Sequence, residues 1–424
     1  MMSQTQTIRN KQSGLNLFSI ATIVMMLCYI LPQAVIFIRN DIMAIIVTFY
    51  YALFISRYVS PAIIFKTFLL AVPYLFLYWA NGFPGNFKLG FVLPLMTLWT
   101  LVMPCFAIVA AVKRNNPAEQ KYILIATGIC LLYVFVSTFR GLAIDPLIMR
   151  EMAGGLDISV YQARLRGVGG YGIAYATGAL FIAICILRRH CPEKKYKMIG
   201  LLLMLICGLL VVQSQYATLL FITIGGIALY YIIDARTFLQ KLNVVVASIV
   251  VVLSSQMLVT LGMSVFGEQE VLVFKFQLIS DAVWGNAGVE NVSGDRSQMQ
   301  IDAFNMFLNS PVWGCPGFEQ KEAYFASHST ILGVLASTGL IGIASYFFCL
   351  YYSIKHLMVN CLLDMERRII LPVFIYYLAF SFLNPVEYSF ECSWIIFFVI
   401  PLLYIFFYKN NYGRKYYLKE PMGK

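Results

Sequence analysis

Residues 89–112 read LGFVLPLMTLWTLVMPCFAIVAAV, a run of 24 residues without a charged side chain that lies between Lys88 and Lys113. A helix needs roughly 20 mostly apolar residues to cross the hydrocarbon of a bilayer, so this run predicts a membrane-spanning helix. Similar runs recur along almost the whole chain of 424 residues, of which 60% are hydrophobic and 12% charged, with a mean hydropathy of +0.77. This composition excludes a soluble globular domain as the main part of the molecule.

The apolar runs predict an all-α, polytopic membrane helix bundle of about twelve spans, with residues 1–424 forming a single transmembrane domain. The first run follows Arg9 and Lys11 and is too long for a signal-peptide core, which favours an uncleaved first span. The predicted spans are 17–38, 42–56, 62–80, 89–112, 121–138, 170–188, 197–213, 217–233, 243–266, 329–353, 369–383 and 393–408.

Lysine and arginine are distributed unevenly over the loops between these spans. With both termini in the cytoplasm, 22 of the 31 basic residues fall on the cytoplasmic side, whereas 14 of the 20 acidic residues fall on the other side. By the positive-inside rule, this bias predicts an inner-membrane protein with cytoplasmic termini. The net charge of +11 then belongs to a cytoplasmic rim beside anionic membrane lipids, and no binding of nucleic acid is expected.

Two predicted periplasmic loops, residues 139–169 and 267–328, are much longer than a connection between helices requires, and long loops often carry function. In the first loop, Arg164 and Arg166 precede a glycine-rich run, residues 167–172. A guanidinium group suits phosphate or carboxylate oxygens, and glycine lets the backbone approach a ligand closely. The alternative interpretation is that these arginines extend to lipid headgroups.

The second loop contains an apolar stretch with helical spacing, which predicts an amphipathic helix at the membrane surface. Ser293 or Asp295 can cap its start, and Pro311 lies just beyond its end. We expect its apolar residues to pack the loop onto the bundle rather than bind substrate. They are Ile301, Phe304, Phe307 and Leu308.

His328 is the only histidine predicted outside the cytoplasm, whereas His190 and His356 are expected at a solvated cytoplasmic rim. An imidazole can take or give a proton near neutral pH, although an interface role is the alternative for a single histidine at the end of a span. Of the ten cysteines, only Cys315 and Cys392 are expected on the periplasmic side, where the two could form a disulfide bond. No zinc-ligand spacing occurs, so no metal and no cofactor are expected.

These pieces, in this order, resemble the bacterial O-antigen polymerase and O-antigen ligase family of membrane glycosyltransferases. The strongest part of the resemblance covers residues 293–342, and the glycine-rich segment from Arg164 to Gly178 is similar as well. Two motifs carry it: His328, Ser329, Gly339 and Gly342 in one, and Arg296, Pro311, Gly314 and Gly317 in the other.

The resemblance implies a metal-independent transfer of a glycan from an undecaprenyl-pyrophosphate carrier to an acceptor hydroxyl at the periplasmic face. It implies a catalytic role for His328 and Arg296, with His328 activating the acceptor. Arg296 would bind the pyrophosphate together with Arg164 or Arg166. The implied partners are the lipid-linked glycan, membrane lipids and, as a candidate, a chain-length regulator protein.

One departure from the family pattern bears on the acceptor. Ligases especially carry an arginine between two central spans, but the corresponding residues 212–219 read VQSQYATL and contain none. This favours a polymerase, which adds the glycan to another lipid-linked repeat, over a ligase, which adds it to the lipid A core. A lipid-linked oligosaccharide flippase or transporter is the alternative from another class; such proteins carry charged groups inside their spans and often contain internal repeats.

The predicted topology can be tested by labelling single cysteines in a cysteine-free background. We expect a membrane-impermeant maleimide to label Arg296→Cys in intact spheroplasts, and to label Lys194→Cys only after permeabilisation. Labelling of Arg296→Cys only after permeabilisation would contradict the predicted orientation.

Overall fold

The computed structural model describes residues 16–38, 40–154, 158–191, 193–214, 216–235, 237–253, 257, 260, 264, 295–318, 329–362, 364–386 and 389–407. These residues contain no β-strand and are helical almost throughout. The helices are α1 Leu17–Ile30, α2 Pro32–Phe37, α3 Asn40–Ile55, α4 Pro61–Gly82, α5 Lys88–Lys113, α6 Pro117–Ile144, α7 Ile148–Gly154, α8 Ile158–Leu165, α9 Tyr171–His190, α10 Lys194–Gln213, α11 Ala217–Asp234, α12 Phe238–Leu253, α13 Asp295–Asn309, α14 Thr330–Cys361, α15 Asp364–Leu383 and α16 Phe390–Phe407.

Within the described part of the chain, seven helices are long and apolar enough to cross a membrane: α4, α5, α6, α9, α10, α14 and α16. The remaining predicted spans overlap the shorter apolar helices α1, α3, α11, α12 and α15. Large apolar side chains such as Phe65, Leu69 and Ile129 are exposed on the outside of the bundle. Such a surface would associate in water, so the all-helical fold suits a bilayer.

The opening stretch of sequence forms the central helix. Every residue of α5 from Thr97 to Val112 is buried, whereas most of α10 lies on the periphery. Tyr29 of α1 donates a hydrogen bond to the carbonyl of Thr100 at 2.7 Å, and its ring lies 4.6 Å from that of Trp394 in α16. The helices of the first and last predicted spans, α1 and α16, therefore pack together against α5.

The helix ends fall into two groups. One group, which we call the basic end, includes the start of α1 and the turns between α5 and α6 and between α9 and α10. Here Arg114 donates two hydrogen bonds to the buried carboxylate of Glu119, at 2.7 and 2.8 Å, and Asn16 donates a third. The Glu119 hydrogen bond raises the pKa of Arg114. This network joins α1 to the α5–α6 turn. It also supplies the hydrogen-bond partners that a buried carboxylate needs. At the opposite end of the bundle, α4 and α15 end and α9, α14 and α16 begin. We call this end the mouth.

At the mouth, α14 is broken inside its length. Gly339 has φ 64° and ψ −165°, a backbone conformation that residues other than glycine rarely adopt. The break divides α14 into a first piece, residues 330–338, and a second piece, residues 340–361. A break leaves backbone groups without helical partners, which is costly at membrane depth.

The turn of residues 311–318 supplies the missing partners. The amide of Leu340 donates to the carbonyl of Pro311 at 2.8 Å, and the amide of Cys315 donates to the carbonyl of Ala336 at 2.9 Å. The Asn81 side chain, at the end of α4, donates to the carbonyls of Ser337 and Trp313 at 2.8 and 2.7 Å. The break in α14 is thus sealed by protein groups.

The two pieces of α14 have different neighbours. The second piece runs beside α4, where the Ser345 hydroxyl donates to the carbonyl of Leu70 at 2.5 Å. The first piece connects the mouth ends of α15 and α4: the amide of Val386 donates to the Thr330 hydroxyl at 2.9 Å, and the carbonyl of Ser337 accepts from Asn81. The predicted tenth span, 329–353, begins within one residue of the start of α14 but ends eight residues before its end, and hydropathy does not reveal the break at Gly339.

The first predicted loop also begins later than expected. Helix α6 continues through Arg140 to Ile144, since one arginine is compatible with a helix and does not end it. The rest of the loop contains α7 and α8.

In the second loop the predicted helix is present as α13, but its packing face was predicted wrongly. Ala303 and Met306 are buried, whereas Ile301, Phe304 and Leu308 are exposed. Helical spacing predicted the helix but not which of its faces packs on the bundle.

Two further expectations are corrected at side-chain level. His190 and His356 are partly buried rather than solvated: a ring nitrogen of His190 lies 2.9 Å from the Tyr230 hydroxyl, and Nδ1 of His356 lies 3.2 Å from the Asn360 side-chain amide. All ten cysteines, which lie within the described residues, are free, so Cys315 and Cys392 form no bridge.

The break in α14 generates a stability prediction. A Cβ at Gly339 would lie 2.4 Å from the Val312 carbonyl oxygen, and the backbone conformation disfavours any side chain. We expect Gly339→Ala to lower the free energy of unfolding by about 3 kcal/mol, measured by thermal unfolding in detergent.

The matched control is Gly333→Ala in the first piece of the same helix, where a Cβ would meet open space. Alanine there should change the free energy of unfolding by less than about 1 kcal/mol. Equal losses for the two variants would contradict the role assigned to Gly339.

Candidate functional site

The four site residues expected from the sequence have different positions. Arg164 is the penultimate residue of α8, and Arg166 is exposed just after α8. The backbone of Arg296 lies in the first turn of α13, and its side chain is outside the described part of the structure. His328 lies outside the described residues, but its neighbour Ser329 caps the start of α14 by accepting a hydrogen bond from the amide of Leu332 at 3.1 Å.

Arg164 is partly buried at the mouth. Its Nη2 atom donates a hydrogen bond to the carbonyl of Met152 in α7 at 3.3 Å. Among the described residues this is the single hydrogen bond of a group that carries five N–H donors. A guanidinium with one such bond suits a phosphate or carboxylate as a further acceptor.

The glycine-rich run joins α8 to α9 and packs against α6. Gly167 has φ +85°, and a Cβ there would lie 2.6 Å from the Tyr133 hydroxyl oxygen. The amide of Gly169 donates to the Thr138 hydroxyl at 2.8 Å. Gly167 and Gly169 thus serve close contact with α6, whereas the sequence suggested that the glycines serve a ligand.

Gly172 makes room for a charged group that sequence reasoning did not single out. A Cβ at Gly172 would lie 2.4 Å from Oε2 of Glu391, which is in the first turn of α16. The signal was a carboxylate directly before an apolar run, residues 392–407. Ionisable side chains at such positions are expensive and often functional.

Arg164 and Glu391 therefore flank the start of α9. Met152, which accepts the hydrogen bond of Arg164, lies against Gly170, and Glu391 lies against Gly172. No ion pair within 4 Å joins the two side chains in the described structure.

An aromatic cluster, formed by Tyr171, Tyr175, Tyr216 and Phe380, lies beside these charges. The Tyr175 and Phe380 rings stack at a centroid distance of 4.0 Å, and the rings of Tyr171 and Tyr216 are 5.7 Å apart. The Tyr216 hydroxyl donates to the carbonyl of Met149 at 2.6 Å. The α10–α11 connection, the part without the family's arginine, is thus tied to the loop that carries Arg164.

Asn384 connects the aromatic cluster to the start of α14. Its side-chain amide donates to the Tyr175 hydroxyl at 3.1 Å, and its backbone carbonyl accepts from the amide of Thr330 at 3.4 Å. The start of α14 therefore lies close to the aromatic cluster.

Helix α13 packs on the first piece of α14. Ala303 and Met306 form a buried cluster with Leu332 and Ala336 of that piece and with Cys315 and Phe318 of the turn. Position 296 lies two helical turns before Ala303. Helix α13 is thus joined to the first piece of α14, whose start Asn384 links to the aromatic cluster.

The mouth combines the Arg164 guanidinium, the Glu391 carboxyl group and aromatic surface, which together suit a ligand with anionic and hydroxyl groups better than a purely apolar one. In the described ranges, no three His, Cys, Asp or Glu side chains come together as a metal site.

Comparison of the chain with protein-family models and with curated proteins gives no match.

The contact between Asn384 and Tyr175 can be tested by removing one hydroxyl. Tyr175→Phe leaves the Asn384 amide without this acceptor, and we expect the free energy of unfolding to fall by about 1–2 kcal/mol. Tyr161→Phe, at an exposed tyrosine of α8, is the control and should be neutral in the same detergent unfolding assay. Equal unfolding midpoints for both variants would argue against a hydrogen bond between Asn384 and Tyr175.

Proposed function

We propose that this chain is a surface-polysaccharide or O-antigen polymerase, which joins undecaprenyl-pyrophosphate-linked oligosaccharide repeats at the periplasmic face of the bacterial inner membrane. One observation carries the proposal: segments far apart in sequence, with Arg164, Ser329 and Glu391, meet at one end of the bundle. Two of these segments belong to the family resemblance, which was based on sequence alone.

The proposed topology has twelve spans. In it, the five shorter apolar helices cross the bilayer together with the seven longer ones. The basic end, with Lys113, Arg114 and Arg188, is cytoplasmic by the positive-inside rule. The mouth, with Arg164 and Glu391, is then periplasmic, where lipid-linked repeats are available to it.

In the proposed reaction, an acceptor hydroxyl attacks the anomeric carbon of the donor glycan. A new C–O bond forms while the bond from this carbon to the pyrophosphate oxygen breaks, and the electron pair leaves with the pyrophosphate. His328 takes the hydroxyl proton. Arg164 and Arg296, with Arg166 at the exposed rim, neutralise the charge that develops on the pyrophosphate, so that the transfer proceeds without a metal ion.

Two observations bear on the alternatives. The α10–α11 connection lacks the arginine typical of a ligase, yet Tyr216 holds this connection close to the segment with Arg164. The missing arginine keeps a polymerase ahead of an O-antigen ligase, and Arg164 supplies the positive charge near this connection. A flippase or transporter is disfavoured because spans such as α5 and α11 carry no charge in their central parts.

The prenyl tail requires an apolar surface that reaches the mouth. An apolar cleft of ≈ 230 Å³ lies between α6, α9, α10 and α16. Its lining includes Leu124, Arg188 and Tyr196, so the cleft belongs to the half of the bundle near the basic end. We therefore assign the tail to the lipid-facing surface near the mouth rather than to this cleft.

The proposal predicts the effect of three substitutions on glycan length. Membranes with His328→Ala or Arg296→Glu, at normal protein level, should fail to make long chains from supplied lipid-linked repeats, a loss of about 100-fold or more. His356→Ala is the control and should leave chain length unchanged, because His356 lies near the basic end beside Lys113. Normal chain lengths with His328→Ala would remove His328 from the mechanism.

The glycan profile of a deletion strain separates the two enzyme classes. Lipid A capped with a single repeat is expected for the loss of a polymerase. Uncapped lipid A with accumulating carrier-linked polymer would instead indicate a ligase, and absence of repeats from the periplasm would indicate a flippase.

A further inference from the structure

The reaction described above gives no role to the apolar cleft between α6, α9, α10 and α16. Buried residues such as Leu180 and Cys207 form its inner wall. Leu132, Ile199 and Leu203 also line the cleft, although each of them is exposed on the outside of the bundle. The cleft therefore opens sideways toward the membrane, where a hydrocarbon chain can enter it.

The length of the cleft fits an acyl chain. On α10 its lining extends from Tyr196 to Cys207, which is roughly 16 Å of helix at a rise of about 1.5 Å per residue. On α9 it covers a similar length, from Leu180 to Cys191. The hydrocarbon of a bilayer is roughly 30 Å thick, so the cleft reaches about as deep as the leaflet at the basic end.

Positive charge lies at one end of the cleft. Arg188 lines it, and the stem of this side chain packs on α10: a Cβ at Gly200 would lie 3.5 Å from the Cβ of Arg188. Nε of Arg188 donates a hydrogen bond to the carbonyl of Lys197 at 3.2 Å. The guanidinium is thus held beside the first turns of α10, which begins with the exposed Lys194 and Lys195.

The charge of Arg188 has no acidic partner within 4 Å among the described residues, whereas the neighbouring Arg189 forms an ion pair with Asp234 at 2.8 Å. Between positions 186 and 200 the chain carries five lysines and arginines and one acidic residue, the exposed Glu193. An apolar cleft that ends in excess positive charge is complementary to an anionic amphiphile, because the hydrocarbon and the charged group of such a molecule meet matching surfaces.

We propose that the cleft binds one anionic phospholipid of the surrounding membrane. An acyl chain lies between α6 and α10, and the phosphate lies at Arg188 and the start of α10. Since most of α10 lies on the periphery of the bundle, the lipid acts as a structural ligand that supports this helix. The site is at the opposite end of the bundle from the mouth, so the inference is independent of the proposed function.

The test counts phospholipids bound to the full chain, purified in a neutral detergent, by native mass spectrometry. The chain is titrated with phosphatidylglycerol, which is anionic, or with phosphatidylcholine, which carries no net charge. We expect one phosphatidylglycerol per chain, bound about fivefold or more tightly than phosphatidylcholine, because each basic residue beside an anionic lipid contributes about this factor. Phosphatidylglycerol should also raise the unfolding temperature of the chain.

One pair of variants tests the charge. Arg188→Gln should weaken the binding of phosphatidylglycerol by about fivefold and leave that of phosphatidylcholine unchanged. Its matched control is Lys241→Gln, which removes one charge from an exposed position of α12 that does not line the cleft. This control should bind both lipids like the wild type.

A second pair tests the cleft itself. Gly128 lines the cleft and a Cβ there would meet open space, so Gly128→Leu takes up cleft volume without a clash. We expect it to weaken the binding of phosphatidylglycerol by about tenfold or more and to abolish the rise in unfolding temperature. Gly225→Leu, at a glycine of α11 that also has open space but lies outside the cleft, should bind like the wild type.

Four results would overturn the inference. They are equal binding of the two phospholipids, equal losses for Arg188→Gln and Lys241→Gln, normal binding by a folded Gly128→Leu, and tighter binding of undecaprenyl phosphate than of phosphatidylglycerol. The last result would assign the cleft to the carrier lipid. If Gly128→Leu does not fold, as judged by thermal unfolding, the comparison of Arg188→Gln with Lys241→Gln decides the inference.

Discussion

A backbone that is broken at the mouth of a membrane bundle must find its hydrogen-bond partners within the protein, because the bilayer supplies none. This requirement is concentrated at Gly339. The turn of residues 311–318 and the side chain of Asn81 satisfy the freed groups of α14, and in doing so they fix the first piece of that helix across the mouth. Helix α13 packs on this piece, and Asn384 holds its start. The polar region therefore depends on a repaired discontinuity rather than on a regular span.

Charge is used sparingly and is separated by function. At the basic end, Arg114 and Glu119 form close, buried hydrogen bonds that join helices, so their charges are mutually satisfied. At the mouth, Arg164 and Glu391 form no ion pair within 4 Å among the described residues, and Arg164 donates one hydrogen bond there, to the carbonyl of Met152. The same two types of side chain are thus paired at one end and lie apart at the other.

Several features of the site were accessible from sequence because they depend on local chemistry. Arg164 before the glycine-rich run and the helix that follows residue 295 were both predicted, whereas the break at Gly339 was not. Glu391 was not found, since one carboxylate beside an apolar run has many explanations. Its meaning comes from Gly172, which is 219 positions away in the chain and in contact only after folding. Arg166 carried the same sequence signal as Arg164, but it is exposed.

The sequence by itself determined that the chain is an all-helical membrane protein and where most of its helices lie, because the length of an apolar run and the period of a helix are local properties. It could not distinguish α5, which is the core, from α10, which lies on the periphery, since both are equally apolar. The tertiary structure decided which faces are covered, where α14 breaks and which side chains lie at the mouth. Those outcomes depend on contacts between distant segments, and hydropathy does not encode contacts.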